Sequence, residues 1–410
     1  MKVALLGIGT VGTGVYEIIN EKKGNYFANT REPVEIVKVL VRDQNKKRSV
    51  EIPEKLLTED FQTILDDDEI EAVIAVMGGM KPEYDYLLSA MDHKKHVITA
   101  NKAIVSEYFD VLVQKAKENG VQFLFEASVG GGIPVITSLR ETMKINRISE
   151  IKGILNGTSN YILSKMSSEG RDFEEILAEA QEMGFAEADP SADIDGHDVS
   201  RKLSILSSIA FGSHIRDEEI FKRGIREVDI DDIDMVERLG YVLKYIAHSK
   251  LEGDCYGAAV EPALVHSKHI MSNVNEEFNI VSIHGNIIGE LQFYGKGAGK
   301  DATANAVVGD LLYIIHNKDR QEDLIFDQTL ESTGIKAFYG KHYLRVDVQD
   351  HSGFEEMIDL IDRYSKHKKM TVEKNRIYVM TEAMNAQTFK ELADKIKEKT
   401  DSLFYARVIE

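Results

Sequence analysis

Over the first third of the chain, short apolar runs alternate with amphipathic stretches, the pattern of a parallel sheet wrapped by helices. Candidate strands are Val3–Leu6, Val34–Val41, Ala72–Val76, His96–Thr99 and Val121–Phe125. Between them Val11–Lys22, Phe61–Asp66, Pro82–Asp92 and Ser106–Asn119 read as helices. The third opens with proline in its first turn, where the missing N–H costs nothing. The predicted class is α/β, with a doubly wound domain over residues 1–133.

After Gly130-Gly131-Gly132 the rhythm changes to longer helical patterns such as Asp172–Met183 and His197–Phe211, and strand-like alternation returns from Tyr256 to Phe293. An α+β domain is expected over 134–299. The helical stretch Ala302–His316 is expected to pack back on the first domain, completing it with a segment over about 300–335. From Tyr343 the pattern runs strand (Tyr343–Val348), helix (Phe354–Tyr364), strand (Met370–Glu373), strand (Arg376–Thr381), helix (Thr388–Lys397), strand (Leu403–Val408). That order predicts a ferredoxin-like βαββαβ unit over 340–410. The charge run Lys390–Lys399 is the wet face of its last helix.

With 410 residues, two or three domains are expected. A formal charge of −19 repels a phosphate backbone or an anionic membrane, so nucleic acid and membrane are not the expected partners. An anionic ligand must then meet a local positive site. A single cysteine, Cys255, allows no internal disulfide, and no Cys/His cluster has zinc spacing. The start of the chain runs directly into a strand with no apolar leader, and no apolar run approaches the ~20 residues needed to cross a bilayer. A cytoplasmic location is expected.

Gly7-Ile8-Gly9-Thr10-Val11-Gly12 follows the first strand and opens the first helix, so backbone N–H groups and the helix N-terminus can face a pyrophosphate. Gly7 permits the tight turn, Gly9 lets phosphates approach, and Gly12 lets helix and strand pack closely. The second strand ends in Val41-Arg42-Asp43, followed by Lys46, Lys47 and Arg48. Asp43 would favour the free 2′-hydroxyl of NAD, whereas Arg42 with the basic cluster would favour the 2′-phosphate of NADP. Part of Lys46–Arg48 reads equally as solvated loop. The balance favours NADP, with NAD as the alternative.

Projected at 100° per residue, the helix from His197 places Val199, Leu203, Ile205, Leu206, Ile209 and Ala210 on one side. His197, Ser200, Arg201, Ser204, Ser207 and Ser208 fall on the other. Lys202 lies in the middle of the apolar side, and Asp198 is one turn earlier, within reach of an i,i+4 pair. Such a lysine is either a core ion pair or a site lysine facing a cleft. Upstream, Glu187, Asp189, Asp193 and Asp195 concentrate carboxylates around Pro190. Beside a partly buried lysine, such a cluster could bind a ligand ammonium.

Gly184-Phe185-Ala186-Glu187-Ala188-Asp189-Pro190, then Asp193, Gly196, Asp198 and Lys202, resemble the signature of the homoserine dehydrogenase family. The resemblance extends over Gly7–Gly12, Thr99-Ala100-Asn101-Lys102, Glu126–Pro134, Gly153–Tyr161 with its Asn156-Gly157-Thr158 turn, and Gly295–Thr303, in the family's order. It implies NAD(P)-dependent interconversion of L-homoserine and L-aspartate 4-semialdehyde. It implies a catalytic acid–base role for Lys202, oriented by Asp198, and a place for Lys102 at the nicotinamide and substrate. The dinucleotide set becomes Gly7, Gly9, Thr10, Val11, Gly12, Arg42, Thr99 and Lys102. Glu187 and Asp193 match acidic substrate contacts, and Gly157 and Thr158 match contacts to the amino acid. Glu126, Val129, Gly131 and Ile133 match a structural sodium site, an oxygen-only set suited to a hard cation. The C-terminal unit resembles an ACT domain that could hold an amino-acid effector, with Ser352 where that family often has Pro. A homodimer or homotetramer is implied as well.

Overall fold

The computed structural model describes residues 1–20, 33–318, 326–348, 351–366, 368–400 and 402–409. The last two residues of the expected helix Val11–Lys22, the stretch 319–325 of the completing segment, and Asp350 in the first turn of the C-terminal unit lie outside the described residues. The chain forms two compact units, one of Met1–Arg147, Ser204–Asp217 and Phe293–Gln328, the other of Ile148–Leu203, Glu218–Gln292 and Thr329–Glu410.

The first unit alternates strand and helix: β1 (Lys2–Leu6), α1 (Thr10–Asn20), β2 (Glu35–Leu40), β3 (Leu57–Thr58), α2 (Gln62–Leu65), β4 (Ile70–Ala75), α3 (Glu83–Asp92), β5 (His96–Thr99), α4 (Lys102–Glu107), α5 (Phe109–Asn119), β6 (Phe123–Leu124) and α6 (Val135–Met143). The strands pair in parallel in the order β3-β2-β1-β4-β5-β6. The order reverses between β1 and β4, which opens a crevice at their C-terminal ends. Val3, Leu5, Val39 and Ile74 fill one core with Val15 of α1 and with Val307, Leu311 and Ile314 from the helix Lys300–His316. A Cβ on Gly14 would lie 2.8 Å from the Ala304 Cβ, so glycine permits that helix pair to close. The late helix thus packs within the first unit. The expected helix Ser106–Asn119 is instead two, and the first begins earlier. Asn101 caps it by accepting the Ile104 N–H at 3.3 Å, and Tyr108 leaves helical geometry (φ −120°, ψ 31°) with its ring stacked 4.1 Å from that of Tyr84.

In the second unit β7 (Ile148–Ile154) leads to α7 (Gly157–Glu169), α8 (Phe173–Glu182), α9 (Ser191–Ile194) and α10 (His197–Phe211), whose residues from Ser204 belong to the first unit. Then follow β8 (Phe221–Lys222), α11 (Ile230–Arg238), β9 (Tyr241–Glu252), β10 (Cys255–His266), β11 (Phe278–Gly285) and β12 (Gly289–Lys296), whose residues from Phe293 belong to the first unit. Beyond the helix Lys300–His316 lie β13 (Glu331–Ser332), β14 (Tyr339–Gly340), β15 (His342–Asp347), the helix His351–Tyr364, β16 (Lys369–Glu373), β17 (Arg376–Met380), β18 (Met384–Asn385), the helix Ala386–Lys397 and β19 (Leu403–Ile409). β9 eluded the sequence because most of it is buried on both faces, giving no alternation to read.

One sheet runs β12-β11-β7-β9-β10-β19-β15-β17-β16, with β8 and β13 paired to β10. Its last four strands, each antiparallel to its neighbour, have the predicted βαββαβ order. The C-terminal strand β19 joins this part to β10 in parallel register, Ala263 opposite Arg407 and Leu264 opposite Val408. Buried ion pairs secure the junction. Arg407 Nε donates to Glu261 at 2.9 Å, and Arg345 Nε and the Tyr343 hydroxyl donate to Asp232 at 3.0 and 2.8 Å. Burial pushes the Asp232 carboxyl up to about 6, against the pull of Arg345.

Candidate active site

In the first unit the chain turns at Gly7, whose φ of +95° favours glycine and whose N–H donates to Leu40 O at 3.1 Å. A Cβ there would press on Met77 Cα and Val76 O at 3.0 Å. A Cβ on Gly12 would lie 2.2 Å from Gly7 O, so the loop and the first turn of α1 can touch only through glycine. Around Gly9 nothing would meet a Cβ within 4 Å, and Gly9 and Thr10 are exposed at the start of α1. An exposed helix N-terminus beside open space at the sheet's switch point fits the pyrophosphate of a dinucleotide.

Arg42 and Asp43 are exposed just beyond β2, where an adenosine ribose would lie. The Asp43 carboxylate accepts the Asn45 N–H at 2.8 Å. Arg48 turns back to donate to Gln44 O and Lys46 O at 2.9 and 2.7 Å, so it orders the loop.

At the end of β5 the half-buried Lys102 opens α4. Thr99 is fully buried, and its hydroxyl donates to Glu83 Oε1 at 3.0 Å while accepting the Asn101 N–H at 3.1 Å. Across the crevice, Gly78 and Gly79 follow β4 with φ of +80° and +82° and open space around them. Sequence reasoning passed over this second glycine turn and over Glu83. The Gly-Gly pair was the available signal; the buried glutamate looked like an ordinary first-turn acid.

Glu126 is buried, and its carboxylate accepts the N–H of Ile136 at 2.8 Å and the N–H and hydroxyl of Thr137 at 2.7 and 2.6 Å. It therefore caps α6. The Glu126 N–H in turn donates to the buried Asp310 at 2.9 Å. Burial raises both carboxyls, and the charge of Glu126 adds to the rise at Asp310. Val129, Gly131 and Ile133 lie in the following turn, where a Cβ on Gly131 would meet Gly297 at 2.6 Å. Among the described residues no group of three or more His, Cys, Asp and Glu is arranged to hold a metal.

In the second unit Lys202 is 7% exposed. Its ammonium is 2.7 Å from Asp198 Oδ2 and donates to Leu155 O at 2.7 Å. Asn156 Nδ2 bridges two carboxylates, donating to Asp198 at 2.9 Å and to Asp193 at 2.7 Å. The same side chain caps α7, its Oδ1 accepting the Ser159 N–H at 2.8 Å. Three separate stretches of chain thus converge through one amide. Burial raises the Asp193 carboxyl and the neighbouring Asp198 charge adds to this, while Asn156 and Lys202 pull it down. Thr158 donates to Phe185 O at 2.9 Å, and a Cβ on Gly157 would lie 3.0 Å from Glu277 O. Glu187 stands apart, its side chain exposed on the loop before α9. The serines opposite the apolar side of α10 are buried too, because their small hydroxyls find partners. Ser204 donates to Ile215 O at 2.7 Å and Ser208 accepts the Ile215 N–H at 2.9 Å.

A parallel sheet reversing beside a glycine-lined, exposed helix start is the arrangement of a nicotinamide-dependent oxidoreductase of the doubly wound class. Descriptions of the homoserine dehydrogenase NAD binding domain and of homoserine dehydrogenase match residues 7–126 and 134–312. The chain belongs to the homoserine dehydrogenase family. It is 40% identical over 359 residues to the Bacillus subtilis homoserine dehydrogenase, covering 86% of this chain and 82% of that one. It is 43% identical over 319 residues to the Synechocystis homoserine dehydrogenase, covering 77% and 73%. The crystal structure of a homoserine dehydrogenase from Thiobacillus denitrificans superposes with a TM-score of 0.89 at 32% identity, covering 100% of this chain and 98% of that one. A hyperthermophilic archaeal homoserine dehydrogenase mutant in complex with NADPH has a TM-score of 0.65 at 26% identity, covering 79% and 100%. Among the described residues no helix is long and apolar enough to cross a membrane.

Proposed function

We propose that Lys202 is the acid–base group for interconversion of L-homoserine and L-aspartate 4-semialdehyde, and that Asp198 orients it. The observation that carries this is the fixed ammonium, 2.7 Å from both Asp198 and Leu155 O and largely withdrawn from water. There a positive charge stabilises a growing alkoxide more than it would in solvent. Lys202 gives its proton to that oxygen in reduction and recovers it in oxidation. Lys102 supplies a second cation, and Asp193 and Glu187 receive the substrate ammonium. Gly157 and Thr158 hold the rest of the amino acid. A bound nicotinamide dinucleotide supplies or accepts the hydride.

Gly7, Gly9, Thr10, Val11 and Gly12 would hold the pyrophosphate, and Thr99 and Lys102 the nicotinamide end. Arg42 would read a 2′-phosphate, because Arg48 is committed to its own loop. NADP is therefore the preferred dinucleotide. For a sodium ion, three of the roughly four lone-pair sites of Glu126 are filled. The remaining one, with carbonyls of Val129, Gly131 and Ile133, fits a monovalent cation in a structural role. The C-terminal βαββαβ part is read as an ACT-like regulatory domain over 340–410, following a dinucleotide-binding domain at 1–133 and a substrate and dimerisation domain at 134–299. A cavity of ≈ 1040 Å³ lined by Asp347, Gly353, Lys374, Arg376, Thr400 and Ser402 supports a zwitterionic effector there. Ile287, Ile288 and Tyr294, exposed beside or on edge strand β12, support a homodimer or homotetramer. A cytoplasmic setting agrees with one free cysteine, Cys255.

The test follows homoserine oxidation in the spectrophotometer with NAD and NADP in parallel, with and without threonine. The expected result is turnover with NADP preferred. Lys202→Ala should lower kcat by roughly 10²–10⁴, with dinucleotide affinity kept. Homoserine turnover surviving in that variant would remove Lys202 from the chemistry.

A further inference from the structure

Glu83 is fully buried at the start of α3 and has no cation in hydrogen-bond reach among its described partners. Its Oε2 accepts the N–H groups of Met77 and Gly78 at 3.1 and 3.0 Å, and its Oε1 accepts the Thr99 hydroxyl at 3.0 Å. Burying a carboxylate is costly, and burial pushes this one up while its donors pull it back. A side chain kept at that cost is explained by what it joins.

Two segments that border the crevice meet at this carboxylate, and the first of them abuts a third, the glycine loop. Met77, held by Glu83, packs against the turn at Gly7, its Cα 3.0 Å from where a Cβ there would sit. Gly78 begins the open turn after β4. Thr99 passes the connection through the Asn101 N–H to the corner where Lys102 starts α4, and Asn101 Nδ2 ties that corner back to Gly79 O at 2.6 Å. We infer that Glu83 is the positioning residue of the dinucleotide half, fixing the glycine loop, the Met77–Gly79 turn and the Thr99–Lys102 corner relative to one another. This deepens the proposed function, since the role of the corner rests on Lys102 lying at the nicotinamide.

The experiment compares full-length Glu83→Ala and Glu83→Gln with the unaltered enzyme, measuring NADPH dissociation at equilibrium together with kcat, both Michaelis constants and Tm. Glu83→Ala should weaken NADPH by about tenfold or more, since it removes charge-assisted bonds, and should lower kcat while leaving the homoserine Michaelis constant near its native value. Glu83→Gln should recover most of the affinity. Its carbonyl can accept from Met77 and Gly78, and its amide can donate to Thr99 Oγ1. Native NADPH affinity in Glu83→Ala, whatever its Tm, overturns the inference, and so does Glu83→Gln binding as poorly as Glu83→Ala. If Glu83→Ala does not fold, Thr99→Val takes its place and must weaken NADPH in the same direction. Lys102→Met separates the two readings. Full turnover in that variant ends the role of Lys102, while NADPH affinity in the Glu83 variants still judges positioning.

Discussion

The glycine loop of the first unit and the Lys202 cluster of the second are built from opposite materials. The first is made of main chain and empty space: glycines at 7, 9 and 12, an exposed helix start, and a turn whose N–H groups bond to one buried acid. The second is made of charge, with Lys202 paired to Asp198, and Asp198 and Asp193 joined through the amide of Asn156, mostly out of water. A backbone cradle binds a ligand common to many chains, so its demands are steric and local. A buried charged cluster must satisfy every charge it holds, so its demands are electrostatic and its parts come from stretches distant in sequence.

Three substitutions probe that contrast, from the largest expected effect to the smallest. Gly12→Ala should raise the dinucleotide dissociation constant by about a hundredfold or more, because its Cβ would fall 2.2 Å from Gly7 O and overpacking of this kind displaces backbone. Equilibrium titration with NADPH reads this, and near-native affinity would mean that the cradle yields. Asp198→Asn should lower kcat by about tenfold or more while leaving NADPH binding unaltered, since it removes the counter-charge of a buried lysine. A loss confined to NADPH affinity would erase the division between the halves. Arg42→Asp should shift the ratio of kcat/KM for NADP over NAD towards NAD by up to about tenfold, the range of one exposed charge-assisted contact. An unchanged ratio would show that another group reads the 2′ position.

The same contrast governs what could be read in advance. Gly7–Gly12 and the strand before it were legible because the requirement is contiguous, and the span His197–Phe211 was legible from its period and holds as read. Lys202 and Asp198 stood out because a lysine amid apolar neighbours violates the pattern. Glu83 could not be recognised, since an acid in a first turn also suits the helix dipole and only the fold turns it inward. Asn156 was visible as part of a turn, but its bridge to Asp193 and Asp198 spans residues ~40 apart and exists only after folding. β9 escaped because burial on both faces erases alternation, and Glu187, matched by its motif, is exposed outside the network.

The pairing of β19 with β10 also sets an order of manufacture. Of all the strands in the large sheet, the one wedged between β10 and β15 is synthesised last, so a growing chain carries β10 with part of one flank unzipped until Leu403–Ile409 leaves the ribosome. Nascent molecules stalled upstream of that segment would present an open strand flank to one another, a natural foothold for chaperones and, in their absence, for aggregation.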